Sequence, residues 1–248
     1  MNRPLTGKVA IVTGGSKGIG RAIVLKLSGL GAEVIINYAG DSDSAEGLAR
    51  TVIDNGDKAH VIRADVSKVE EIEKLFQTTV ARCGQLDILI NNAGAARYKA
   101  IADFTEEEFD KLFNLNVKGL FFCCREAARL MADNGCIINI GSTVTRVMLP
   151  AYGAYAATKG AVEQITKVLA KELGARAIRV NTLSPGPVDT ELFRVGKTDE
   201  QIRQLAGLAA FGRIGTPEDI ADMVALLVDT QSGWVTGQNI LANGGFAA

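Results

Sequence analysis

The chain has 248 residues, with 27 Lys+Arg against 28 Asp+Glu, a formal net charge of −1, and is 47% hydrophobic and 22% charged. Without a basic excess it has no field to hold a phosphate backbone, which argues against nucleic-acid binding. The proportions are those of a globular protein with ample apolar material for one large core.

In chain order, residues 8–13 read as a first strand, because the apolar run at 9–12 is too short for a signal-peptide core. Further strand-like runs fall at 33–38, 59–64, 86–91, 136–141, 178–183 and 239–242. Helical patterns lie between them at 18–30, 44–55, 69–82, 105–132, 152–174 and 217–230. The strands are nearly continuous in Val, Ile and Leu, which suits strands covered by helices on both faces. Alternating β and α elements with short connections predict an α/β fold, a doubly wound parallel sheet in a single domain over 1–248. Residues 189–215 break the rhythm as a long insertion with weak helical character at 198–210. Ligands in such folds bind beyond the carboxyl ends of the strands, so this segment reads as a substrate lid or as a plain surface loop. The longest uncharged stretch, from Thr230 onward, is rich in Gln, Asn, Thr and Gly and is no membrane span. Cys83, Cys123, Cys124 and Cys136 show no C-x-x-C spacing, so zinc ligation and a disulfide framework are poor readings. Reduced thiols in a cytoplasmic protein are expected instead.

The first strand runs into Thr13-Gly14-Gly15-Ser16-Lys17-Gly18-Ile19-Gly20-Arg21 and then a helix. Glycines there allow a tight turn and let backbone N–H groups approach a pyrophosphate at the helix N-terminus. Arg21-Ala22 stands where a nucleoside triphosphatase needs Lys-Ser/Thr, which disfavours triphosphate hydrolysis. The second strand ends Asn37-Tyr38-Ala39-Gly40, with no carboxylate before Asp41 to take ribose hydroxyls. Lys17 offers a cation to the 2′-phosphate of NADP, and Ser16 and Asn37 offer hydrogen bonds. NADP(H) is therefore expected ahead of NAD(H), the competing reading being that Lys17 is a solvated loop lysine.

Tyr155 and Lys159 are one helical turn apart on one face. A cation beside a phenol lowers its pKa from about 10 toward working pH and makes it a usable acid or base. Such pairs also occur on ordinary helices, but Ser142 ends the fifth strand at the edge where ligands bind.

These residues together resemble the short-chain dehydrogenase/reductases. Thr13 to Gly20, Asn91-Asn92-Ala93-Gly94, Asn116, Ser142, Tyr155-x-x-x-Lys159, Ser184-Pro185-Gly186 and the ending Trp234 to Gln238 with Gly244-Gly245 follow the family's motif order across essentially the whole chain. The resemblance implies a Rossmann-type sheet of seven parallel strands with three helices on each side. It implies that Tyr155 protonates a carbonyl oxygen, that Lys159 depresses the tyrosine and binds the nicotinamide ribose, and that Ser142 hydrogen-bonds the reacting oxygen. Asn116 would hold a water on a proton relay, and Asp65-Val66 would contact adenine. Asn92-Ala93-Gly94 would lie beside the adenosine ribose, although Asn92 reads equally well as a tie between strands. Val188 and Thr190 would fix the carboxamide. The resemblance is nearest to 3-oxoacyl-[acyl-carrier-protein] reductases and related carbonyl reductases. The stretch before the fifth strand, Met131 to Gly135, lacks a basic cluster for an acidic carrier protein, leaving only Arg129 and Arg176. A small free ketone or aldehyde and a 3-oxoacyl thioester both stand as substrates, with a sugar or polyol alcohol as the alternative. A non-catalytic dinucleotide sensor would be expected to lack Tyr155 or Lys159.

Other candidates read more plainly. The single histidine, His60, begins the third strand, away from Ser142, which disfavours a Ser-His-Asp hydrolase. Glu106, Glu107 and Glu108 read as the acidic first turn of a helix opened by Thr105. Arg97 and Tyr98 either line the substrate pocket or face solvent. The apolar helices at 119–124 and 154–173 carry more apolar surface than one sheet face needs, which suggests a homotetramer.

Overall fold

The computed structural model describes residues 3–247. Seven strands form one sheet: β1 (Val9–Val12), β2 (Glu33–Tyr38), β3 (Ala59–Arg63), β4 (Ile88–Asn91), β5 (Cys136–Ile140), β6 (Arg179–Pro185) and β7 (Asn239–Ala242). Their order is β3-β2-β1-β4-β5-β6-β7 and every pairing is parallel. The order reverses between β1 and β4, which opens a crevice at their carboxyl ends.

The helices are α1 (Gly18–Gly29), α2 (Ser42–Asp54), α3 (Val69–Cys83), α4 (Glu106–Phe113), α5 (Leu120–Leu130), α6 (Val144–Val147), α7 (Gly153–Glu172), α8 (Glu191–Arg194), α9 (Asp199–Leu208) and α10 (Pro217–Val228). Side chains alternate across the sheet, so β1 sends Ala10 and Val12 into a core with α1, α2 and α10. It sends Val9 and Ile11 into a second core with α3, α5 and α7. Apolar residues at every position of β1 are thus explained by two buried faces.

The predicted helix over 105–132 is a composite. A turn of π-helix, Asn114–Gly119, separates α4 from α5, and the helix ends at Leu130. Thr105 opens α4 through a capping box with Glu108, as its acidic first turn suggests. Within 189–215 two helices form: Thr190 caps α8, and Thr198 with Gln201 closes a capping box on α9. β6 runs on to Pro185, beyond the predicted 178–183.

A buried polar chain fixes α7 on the sheet. The Asn91 amide donates to Asn139 Oδ1 at 2.9 Å, Asn139 donates to Thr166 Oγ1 at 2.9 Å, and Thr166 and Thr182 share a 2.7 Å bond. All members are satisfied, so the chain rigidifies β4, β5, β6 and α7 without an orphan group. Among the described residues no helix is long and apolar enough to cross a membrane.

Candidate active site

A cleft of ≈ 390 Å³ opens at the carboxyl ends of the strands, where the sheet order reverses. Its floor is the glycine turn after β1. A Cβ on Gly20 would overlap the Gly14 carbonyl, and Gly14 itself has φ +59 with Ala93 packed against it. Larger residues at either place would push the turn out of its path. No side chain caps α1, whose first N–H groups therefore lie open at the cleft. Together with the helix dipole they form an anion cradle that fits a pyrophosphate.

The turn is held by its neighbours. Thr13 Oγ1 accepts from the Asn92 and Ala93 N–H groups at 3.0 Å each, and the Asn92 amide donates to the Thr13 and Gly14 carbonyls. Asn92 lines the cleft while its side chain ties β4 to the turn, so of its two readings the tie is the one its bonds describe.

Asn37 departs from expectation. It is buried, and its amide donates to the Ile62 and Ala64 carbonyls while its oxygen accepts from Gly14 N–H. Its side chain is committed to the fold and is not free to meet a phosphate. Lys17 lines the cleft and pairs with Asp41 at 2.6 Å, while Asp41 also accepts from Ser44 N–H to cap α2. This pairing and the cap hold the Asp41 carboxyl well below the usual carboxylate range. An adjoining hollow is lined by Ser16, Lys17, Arg21 and Ser44.

Of the remaining predicted contacts, Gly18, Ile19, Ala93, Gly94, Pro185, Gly186, Val188 and Thr190 line the cleft. Tyr38, Asp65 and Val66 lie outside both hollows. The Asp65 carboxylate is engaged by Ser67 N–H and Oγ.

Ser142, Tyr155 and Lys159 meet in the cleft. The Tyr155 phenol is raised above its ordinary value by burial, a hydrogen bond with Ser142 lowering it in part. Lys159 is buried and donates to the Ile140 carbonyl at 2.8 Å, and its ammonium is 5.8 Å from the Tyr155 ring centre. The ammonium is turned to a backbone carbonyl here, and burial is the largest influence on the phenol. The same burial pulls Lys159 down to about 8.

Asn116 lies in the π turn and does not line the cleft. Its oxygen accepts from Ala95 N–H at 2.9 Å, and its amide donates to the Ala95 carbonyl and to Thr158 Oγ1. It clasps the loop after β4 to α7 one residue from Lys159.

The 189–215 segment lies over one side of the cleft, contributing Thr190, Glu191, Leu192, Phe193 and Leu205. Tyr98 and Tyr152 also line the cleft, their rings tilted at 35° with centres 4.3 Å apart, and Tyr98 meets Tyr155 edge-on at 6.1 Å. Lys197 sits 4.8 Å above both the Tyr98 and Phe193 rings, joining the segment to Tyr98. Arg97 pairs with Glu108 instead of lining the cleft. Sequence patterns missed Val144, Val147, Leu149 and Phe246, which complete an apolar lining. Their only signal is hydrophobicity, which also fits ordinary core.

The family model described as Enoyl-(Acyl carrier protein) reductase matches residues 14–247. The chain is 41% identical to an NADPH-dependent aldehyde reductase-like chloroplastic protein of Arabidopsis thaliana, over 98% of this chain and 95% of that protein. A short-chain dehydrogenase/reductase structure from Serratia marcescens superposes with a TM-score of 0.95 at 42% identity, covering 99% of this chain and 100% of the other. An angucycline C-6 ketoreductase with bound NADP superposes with a TM-score of 0.92 at 39% identity, over 98% of this chain and 96% of that one. On the sheet order, the glycine cradle and these matches, the chain belongs to the short-chain dehydrogenase/reductases, a family of oxidoreductases.

Proposed function

We propose that the protein is an NADPH-dependent reductase of small, largely apolar ketones or aldehydes. The observation that carries this reading is the meeting of Tyr155, Ser142 and Lys159 in one cleft with an uncapped, glycine-built helix start. NADPH, when bound, supplies the hydride to the carbonyl carbon. Tyr155 donates its phenolic proton to the carbonyl oxygen, Ser142 hydrogen-bonds that oxygen, and solvent returns a proton to the phenolate. Lys159 would hold the nicotinamide ribose, and Asn116 is a positioning residue for the loop and for α7. The apolar wall of Val144, Leu149, Leu192 and Phe246 favours a carbonyl with hydrocarbon substituents.

The basic groups available to a carrier protein are occupied. Arg176 donates to Asp133 Oδ1 and to the Ala128 and Met131 carbonyls, and Arg129 pairs with Glu126. These pairings favour a free carbonyl over a carrier-bound thioester. Initial rates with both cofactors against small ketones, aldehydes and a 3-oxoacyl thioester test the reading. Turnover of the free carbonyls with NADPH is expected, and turnover of the thioester alone overturns it.

Cofactor choice rests on Lys17. Opposite charge at the 2′-phosphate is expected to release Lys17 from Asp41, so Lys17→Ala should weaken NADPH binding about tenfold and NADH binding less than about twofold. Equal losses in fluorescence titrations would return Lys17 to the role of a solvated loop lysine.

Exposed apolar groups on the two helices singled out above support assembly into a tetramer of this chain. Phe121 on α5 is 51% exposed and Val168 on α7 is 57% exposed. A second copy covering them would bury both. Phe121→Glu is expected to shift the sedimenting species toward smaller assemblies, and an unchanged profile would reject this surface.

A further inference from the structure

We propose that Glu33, His60 and Cys83 form a binding site for a borderline transition-metal dication of the Zn²⁺ class, remote from the cleft. Glu33 opens β2, His60 is the second residue of β3 and Cys83 ends α3. His60 pairs in register with Ile35, so Glu33, Ile35 and His60 share the sheet face that α3 covers. Glu33 and His60 lie at the amino ends of their strands, the opposite edge from the glycine turn.

The donor atoms of the three residues all lie within 4.8 Å of one another. Glu33 Oε1 is the hub, 2.7 Å from His60 Nε2 and 3.3 Å from Cys83 Sγ. Zinc bonds of about 2.0 Å to nitrogen and oxygen and about 2.3 Å to sulfur set tetrahedral ligand spacings of about 3.3–3.6 Å. The sulfur already stands at that range, and a small rotation of the Glu33 carboxylate opens the shorter spacing. One imidazole, one carboxylate and one thiolate are the ligand types this class of ion prefers. All three side chains are only half-buried, which leaves an entry path and a fourth position for water. On binding, the ion takes the place of the thiol proton, which leaves to solvent. Thiolate and carboxylate together balance the charge of the dication, while Lys58 at 3.7 Å from Glu33 Oε2 and Arg82 beside Cys83 favour the ionised thiol. Bound metal would staple the end of α3 to the paired strands β2 and β3, adding to the Cys83–Glu33 hydrogen bond there.

The test uses the whole protein stripped of metal and titrated with Co²⁺. Thiolate-to-cobalt charge-transfer absorption is expected to saturate at one ion per chain and to be displaced by Zn²⁺. Cys83→Ser is expected to abolish the band, and Glu33→Gln or His60→Ala to weaken Co²⁺ binding by about tenfold or more. A second measurement does not depend on a variant folding. Cys123, Cys124 and Cys136 are buried, so alkylation of the folded protein reads Cys83, and Zn²⁺ should slow it by about tenfold or more. Absence of the band, its survival in Cys83→Ser, or an alkylation rate indifferent to Zn²⁺ overturns the proposal.

Discussion

Tyr155→Phe is expected to lower the rate of carbonyl reduction by about 10²–10⁴-fold while leaving the dissociation constant for NADPH within about twofold. The change removes one hydroxyl and the proton it carries, and leaves the ring that packs edge-on against Tyr98. The direction of the pKa shift adds a second expectation. Burial raises the phenol, so through neutral pH it keeps its proton and is ready to act as an acid. Reduction should therefore be flat across neutral pH and decline only where the phenol ionises. Oxidation of the corresponding alcohol needs the phenolate as base, so its rate should climb with alkalinity. Steady-state rates in both directions across pH measure this. A Phe variant with most of its activity, or reduction that rises with pH, would remove Tyr155 from the acid role.

The second large effect is expected at Lys159, where Lys159→Met should abolish most turnover yet leave the free protein as stable as before or more so. Its ammonium lies buried with one carbonyl partner, and its pKa falls from 10.5 to about 8. Because the folded value lies below the unfolded one, the unfolded chain binds more protons between them. The Lys159 contribution to stability accordingly rises with pH from about 8 to 10.5, and the charged lysine costs the fold about 3 kcal/mol at neutral pH. Methionine removes that cost and leaves the Ile140 carbonyl without its donor, which returns about 1–3 kcal/mol. Thermal unfolding at neutral and alkaline pH distinguishes the cases: the difference between wild type and variant should move in favour of the wild type as pH rises through about 8 to 10.5. A variant that unfolds well below the wild type at neutral pH would show that Lys159 is a structural group. A destabilising charge held where the proposed chemistry needs one is a trade common at working sites.

What the sequence disclosed follows from what a local pattern encodes. The seven strands were readable because both faces of the sheet are covered, so apolar runs such as Val9 to Val12 carry no interrupting polar residue. The glycine turn was readable because Gly14 and Gly20 admit no substitute, and composition records that constraint. Tyr155 and Lys159 were placed on one face correctly by their spacing. Spacing says nothing of a third party, and the Ile140 carbonyl, from a strand nineteen positions away, decides where the ammonium points. Asn37 failed for the same reason, since its partners on β3 and beyond exist only after the sheet has assembled. The partners of Arg176, Asp133 and the Ala128 carbonyl, likewise come together only once the loop before β5 has folded around it. The half-buried cluster of Glu33, His60 and Cys83 spans three elements, so no motif could announce it. One-turn helices such as α6 and α8 are too short to show a period at all.

The π turn at Asn114–Gly119 has an evolutionary consequence. Such a turn is an α-helix with one residue too many, so deleting a single residue there would let α4 and α5 fuse into one regular rod. Each residue advances a helix by about 100°, and the deletion would swing Asn116 away from Ala95 and Thr158 by that angle. A shorter chain would thus gain a better helix and lose its grip on the catalytic neighbourhood, which makes this the segment where indels should be least tolerated.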